Sequence, residues 1–407
     1  MRAFGLGLLA LALAGCPGGG GGASGGGNGT GPCFERTLEV TGMEGMPLSA
    51  QLLGNTFIAP VTLGSSAGRM LFDTGAPITF GDPTAFTRET FASGVGPMKL
   101  QLGTIVLPSA PVVNYPAGLS LPDGRLGGIV GGDVMCHFLT RFDAKATSLT
   151  LGEAALPSGL ETPVTVKVPV MGGGKGRLPS GDVVDLAGTR LIVKVTIEGT
   201  ERTLMLDSGA SYTVLTDSLF KALVSDGRKT VDGLTATTVM GSQGLKLTRA
   251  RTLAVGGATQ QGGIVATGAP ALLAALQVEV GSQVDGLLGG TFLREFLVSI
   301  DYRKGELTLA RYQSESHVKD EMVRPGVILR NATGGGYEVG VSFAGTDAAA
   351  KGLSVGTKVS AIDGQSLSGL DALQVDALLL GKVGDTRTFT LASGDVAVKV
   401  EDVIALK

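Results

Sequence analysis

Two short runs in this 407-residue chain carry residues that could do chemistry together: Asp73-Thr74-Gly75-Ala76 and Asp207-Ser208-Gly209-Ala210, 134 positions apart. Each sets a carboxylate directly after an apolar stretch that ends in Phe72 or Leu206. Two carboxylates in hydrogen-bond range do not both ionise readily, so they share one proton over a wide pH interval. The ionised member then serves as general base to a water, and the protonated member polarises a carbonyl. That is the chemistry of amide hydrolysis. Other catalytic sources are scarce: 2 His and 3 Cys leave little for a His-based triad or a His/Cys metal site. A carboxylate pair requires no metal and no cofactor.

The elements that must position these aspartates are repeated as well. Phe57–Leu71 and Leu191–Met205 have the same length. Each holds an alternating strand, a turn (Gly64-Ser65-Ser66 or Glu198-Gly199-Thr200), and a second strand that delivers the Asp. Downstream, Gly128-Ile129-Val130-Gly131-Gly132 matches Gly286-Leu287-Leu288-Gly289-Gly290. Phe138 then matches Phe296, Asp143 matches Asp301, and Ser148–Leu151 matches Glu306–Leu309. The second copy is 24 residues longer between its Asp and its Gly-rich turn. A duplicated unit explains a register held over so many positions.

At these residues the chain resembles the pepsin/retropepsin-like aspartic peptidases, whose lobes each carry an apolar strand, Asp-Thr/Ser-Gly, and a later apolar-apolar-Gly turn. The resemblance covers about residues 34–312. It implies a mainly β, bilobal fold with barrel-like lobes at 34–160 and 161–312, and an endopeptidase acting on extended peptide or protein substrates. Asp73 and Asp207 would be the catalytic pair, supported by Gly75 and Gly209, with Thr74 and Ser208 bonded across the lobe interface. Both copies lie on one chain, so a monomer suffices. Pro77 stands where the family often has Ser or Thr, and Trp is absent. The alternative is a catalytically silent peptide-binding or scaffolding lipoprotein. Pepsin relatives carry a flap on the first lobe, but 19 of the 24 extra residues here fall between Asp207 and Val255-Gly256. The expected flap tip is therefore Val239-Met240-Gly241-Ser242-Gln243-Gly244, on the second lobe.

Both ends of the chain add expectations. Met1-Arg2 precedes an apolar run, Ala3–Leu13, too short to span a bilayer but suited to a signal peptide. Leu13-Ala14-Gly15-Cys16 resembles the bacterial lipobox, which implies a signal over 1–16, lipidation of Cys16, and a place in the cell envelope, periplasmic or surface-facing. Residues 17–33 are a Gly-rich tether, with ten glycines between 17 and 31. In an oxidising compartment Cys33 and Cys136 could pair; alternatively, Cys136 is a small buried apolar residue. After a polar stretch over 312–323, read as a linker, residues 324–407 resemble a small α+β PDZ domain. The resemblance rests on Gly352-Leu353-Ser354-Val355-Gly356 and Ile362-Asp363-Gly364, although Thr357 replaces the usual Asp. It implies a groove helix over Leu370–Leu380, closing strands Thr386–Leu391 and Val396–Val400, and a chain-terminus ligand. Gly336, Tyr337, Glu338 and Val339 are the expected carboxylate loop. With 43% apolar and 17% charged residues and a net charge of −3, the chain is neither disordered nor suited to nucleic acid.

Overall fold

The computed structural model describes residues 38–92, 94–115, 120–121, 124–177, 183–238, 241–313 and 318–406. Cys16, the tether, Cys33 and Met240 lie outside the described residues. Cys136 is buried and disulfide-bonded, with its partner outside them as well. Among the described residues no helix is long and apolar enough to cross a membrane.

The first copy is built from β1 (Thr56–Leu63), β2 (Ser66–Phe72), β3 (Phe80–Gly81), β4 (Val95–Leu102), β5 (Ile105–Asn114), β6 (Gly128–Val130) and α1 (Gly132–Met135), followed by β7 (Leu139–Asp143) and β8 (Ser148–Leu151). The second copy repeats the plan. Its elements are β9 (Arg190–Ile197), β10 (Thr200–Leu206), β11 (Thr213–Leu215), α2 (Asp217–Val224), β12 (Val231–Thr238), β13 (Gly241–Val255), β14 (Ala258–Thr267), α3 (Pro270–Val280), β15 (Gly286–Leu288), α4 (Gly290–Leu293), β16 (Phe296–Asp301) and β17 (Glu306–Arg311). The fold is mainly β and two-lobed, as the repeat implies.

Alternation makes the strands. In β9, Val193, Val195 and Ile197 face the core while Lys194 and Thr196 face solvent. The β1–β2 and β9–β10 hairpins pair antiparallel, and β2 and β10 then pair parallel to the Gly-rich strands β6 and β15. The strands that follow α1 and α4 meet: β7 pairs antiparallel with β16, Phe142 opposite Val298, within one six-stranded sheet. One continuous apolar cluster runs through both lobes and that shared sheet, from Phe57 and Phe72 to Leu206 and Phe296. Its burial fixes the two lobes against each other.

Three elements of the second copy have no counterpart in the first: the helix α2, the hairpin β12–β13, with Thr238 opposite Gly241, and α3, which starts on Pro270 and ends at Gly281 in the left-handed region, φ 65°. The first copy instead passes from β3 to β4 through turns.

The C-terminal unit comprises β18 (Val323–Arg324), β19 (Val327–Asn331), β20 (Tyr337–Ser342), β21 (Lys358–Val359), α5 (Ala372–Leu379), β22 (Thr386–Leu391), β23 (Gly394–Lys399) and β24 (Glu401–Asp402). Two expectations are corrected here. Tyr337, Glu338 and Val339 are not a free loop. They lie in β20, between β19 and β21, and the Val339 N–H is already given to the Thr357 carbonyl. Gly336 belongs to the β19–β20 turn, where its carbonyl accepts from Ala332. Their spacing resembled an anion cradle, but sheet pairing consumes its donors. The outer strands of that three-stranded sheet are β19 and β21, and α5 packs beside β19. Second, the polar stretch does not stay solvated up to β18: Met322 is fully buried and Glu321 nearly so. Met322, Phe343, Val403 and Ile404 pack into the core of the second lobe with Ala210, Tyr212 and Leu276.

Candidate active site

Each aspartate sits where its hairpin strand ends. The Asp73 N–H donates to Val130 at 3.0 Å and the Asp207 N–H to Leu288 at 3.0 Å. The far end of each loop is held the same way, by Gly132 N–H to Ala76 (2.8 Å) and Gly290 N–H to Ala210 (2.7 Å). The Gly-rich turns therefore clamp both loops, which is why these segments repeat together.

The loops face each other across the interface. Thr74 N–H donates to Ser208 Oγ (3.0 Å), and Ser208 N–H to Thr74 Oγ1 (3.0 Å). Each hydroxyl in turn donates across the interface, Thr74 to the Leu206 carbonyl (3.2 Å) and Ser208 to the Phe72 carbonyl (2.8 Å). These four buried bonds each contribute on the order of 1 kcal/mol net and far more in geometric restraint. They bring Thr74, Gly75, Ser208 and Gly209 to one place.

The glycines are required by space. A Cβ on Gly75 would stand 2.6 Å from Asp207 Cγ, and one on Gly209 would stand 2.3 Å from Asp73 Cγ. Each glycine also donates its N–H to its own aspartate: Gly75 to Asp73 Oδ1 at 2.7 Å and Gly209 to Asp207 Oδ1 at 3.0 Å. Ala210 N–H adds a second donor to Asp207 Oδ1, at 2.9 Å.

Both carboxylates are fully buried. Their Oδ1 atoms are satisfied, whereas neither Oδ2 meets a donor among the described residues. What each faces is the other carboxyl. Two ionised carboxylates offer each other no donor, so the contact becomes a hydrogen bond only when one of them holds a proton. Burial pushes Asp73 up to about 6, held from going higher by its bonds to Asp207 and Gly75 and by the charge of Arg190. Burial, and then the Asp73 charge, push Asp207 well above the carboxylate range. Two buried carboxyls that are both raised share a single proton, and that proton belongs to the pair.

Several contributors carry no sequence motif. Arg190 is fully buried and forms a bidentate pair with Glu279 near the end of α3, Nε–Oε1 2.9 Å and Nη2–Oε2 2.8 Å. Its charge favours the anionic form of both aspartates. Thr79 and Thr213 hold the Gly-rich turns by accepting from Gly131 (3.0 Å) and Gly289 (3.2 Å). Their signal was available: each stands six residues after its Asp in both copies. Of the expected flap, the strands that include Gly241, Ser242, Gln243 and Gly244 form a regular hairpin with Thr235–Thr238.

Residues 193–292 match the family model described as aspartyl protease. No curated protein matches the chain. Among solved structures, the aspartic proteinase from Irpex lacteus aligns at 15% identity and a TM-score of 0.39, covering 66% of this chain and 98% of its own. The matched family stretch holds Asp207-Ser208-Gly209 and the second Gly-rich turn, so the likeness to aspartyl proteases falls on the residues that build half of this site.

Proposed function

We propose that the chain is an aspartic endopeptidase that cleaves extended polypeptides with Asp73 and Asp207. The observation that carries this reading is the pair of buried, facing carboxyls, each held by loop N–H groups and locked by the Thr74–Ser208 brace. In the protonation state where Asp73 is ionised and Asp207 carries the shared proton, Asp73 takes a proton from a water between the carboxyls. The water oxygen bonds to the scissile carbonyl carbon while Asp207 gives its proton to the carbonyl oxygen. The tetrahedral intermediate then collapses: the C–N bond breaks, Asp73 returns its proton to the leaving nitrogen, and Asp207 recovers one from a hydroxyl. The pair ends as it began.

The hairpin β12–β13 serves as the lid over bound peptide, an element that excludes water on closing. The C-terminal unit is PDZ-like and takes a chain terminus as an added strand on the free edge of β19, beside α5. Lipidation of Cys16 holds the protein in the bacterial envelope as a monomer.

The deciding experiment incubates the full chain in detergent with a denatured protein mixture, with and without a statine-type inhibitor, beside Asp73→Asn. Inhibitor-sensitive cleavage, absent in the variant, is the expected result. Saturable peptide binding without any cleavage would replace the enzyme by a silent peptide binder.

A further inference from the structure

The two dyad loops are alike in their own contacts, yet they are supported differently from outside. Beside the second loop stands a polar cluster drawn from three parts of the chain. Asn55, just before β1 of the first lobe, donates its amide to the carbonyl of Ser211, which follows the Asp207 loop directly (3.0 Å). The same Asn55 amide nitrogen donates to Glu321 Oε1 at 3.0 Å. Arg294, just after α4 of the second lobe, completes the cluster, with Nη2 2.6 Å from Glu321 Oε2 and Nη1 2.5 Å from Asn55 Oδ1. Glu321 is 6% exposed and Asn55 5%. The backbone of Asn55 also abuts Gly290, the residue that clamps Ala210.

Glu321 belongs to neither copy of the repeat. It lies in the stretch just before the C-terminal unit and is held from that unit's side. Arg324, fully buried, donates to the Glu321 carbonyl at 2.5 Å and pairs with Asp376 of α5 at 3.1 Å. The neighbouring Met322 packs in the same apolar cluster as Ala210 and Tyr212. A buried carboxylate in this position is stable only while its cationic and amide partners stay in place, and they in turn depend on it. In the second copy the place of Asn55 is taken by Thr189, which abuts Gly132 as Asn55 abuts Gly290. A bridging amide is therefore found only where Glu321 must be received.

We infer, on the peptidase reading above, that Glu321 is a positioning residue for the dyad: through Asn55 and Arg294 it anchors the second catalytic loop, and so makes the C-terminal unit part of the catalytic body. Burial pushes the Glu321 carboxyl up, but Arg294 and Asn55 more than offset this, so it stays ionised where the dyad works. The contacts run unbroken from the groove helix α5, through Asp376, Arg324 and Glu321, to Asn55 and Ser211. Docking of the C-terminal unit and the set of the Asp207 loop are one structural event.

The test uses the full chain and Glu321→Gln, which keeps shape and removes charge. Two quantities are read: kcat and KM on a peptide substrate, and amide hydrogen exchange at 208–212 compared with 74–78. The expected result is a kcat lower by roughly ten- to a hundred-fold, as small misplacements of catalytic groups produce, with KM within about two-fold. Exchange should quicken at 208–212 and stay unchanged at 74–78. Asn55→Ala, which removes the bridge but spares the Arg294–Glu321 pair, should reproduce that local pattern and serves as the reporter if Glu321→Gln does not fold. Unchanged kcat, or a fall in kcat without faster exchange at 208–212, overturns the inference. If the wild type cleaves nothing, the peptidase reading fails by itself, and the exchange comparison alone decides whether Glu321 anchors the loop.

Discussion

Asp73→Asn should stop turnover and, at neutral pH, make the protein more stable. The folded-state value of Asp73 lies above that of a free carboxyl, so folding favours its protonated form. The stability this contributes is complete below the ordinary carboxylate range and is lost as pH rises through about 6. Asn never ionises and escapes that loss. The rise from 3.8 to about 6 corresponds, at about 1.4 kcal/mol per pH unit, to about 3 kcal/mol in full, most of it falling between pH 4 and 8. Asp207 acts in the same direction, because burial raises it as well. Urea unfolding of wild type and variant, followed by far-UV circular dichroism at several pH values, measures this directly. Other carboxylates titrate equally in both proteins, so the difference between the two curves isolates the dyad. That difference should grow with pH in favour of the variant. A difference that stays flat from pH 4 to 8 would show that the facing carboxyls do not bear the desolvation assigned to them, and near-normal turnover by the variant would end the shared-proton mechanism.

Thr74→Val takes a hydroxyl from the Leu206 carbonyl and leaves the buried Ser208 N–H without its acceptor. It should cost about 1–3 kcal/mol in unfolding experiments and lower kcat, whereas Thr74→Ser should behave like wild type, because Ser208 fills the same role in the other loop. Equal damage from both substitutions would argue against the cross-lobe brace. Gly209→Ala places a methyl group against the Asp73 carboxyl, and the expected outcome is a folded protein that neither turns over substrate nor binds a statine-type inhibitor. Full activity would mean that the loops lie further apart. Replacing Ala76 and Ala210 together by Ser offers each carboxylate a hydroxyl donor that favours its charged form, so the acid limb of the pH–rate profile should move below about 6. An unmoved limb would remove the hydroxyl from the account of how the dyad is tuned.

Much of the site was legible in the chain because its parts are local and stated twice. The period-2 runs from Phe57 and Leu191 demand hairpins, the aspartates fall at their ends, and the Gly-rich segments recur in register. Thr79 and Thr213 could have been read the same way, by their equal distance from each Asp. The second-lobe insertion was legible as extra length and as a hairpin, because a strand pattern shows its own turn. The carboxylate loop assigned to Gly336–Val339 failed for a physical reason: a glycine run shows where backbone is unhindered but not whether its N–H groups are already paired. Likewise, the charged stretch before Val323 looked solvated because charge usually is, and nothing local shows that Glu321 has Arg294 and Asn55 waiting for it.

The sequence alone determined that there are two related β units, that each presents one carboxylate beside a glycine, and that hydroxyl residues follow both aspartates. Only the tertiary structure decided that the two carboxyls face each other away from water, which is what raises them and lets one proton serve both. It also decided that Arg190 pairs with Glu279 close enough to temper the dyad, and that Asn55 reaches a partner 266 residues away. Local pattern records which face of an element is apolar, because burial acts on each side chain in turn. Desolvation of a charge, the partner that compensates it, and the strand edge left unpaired depend on what arrives from elsewhere in the chain, and packing alone supplies that.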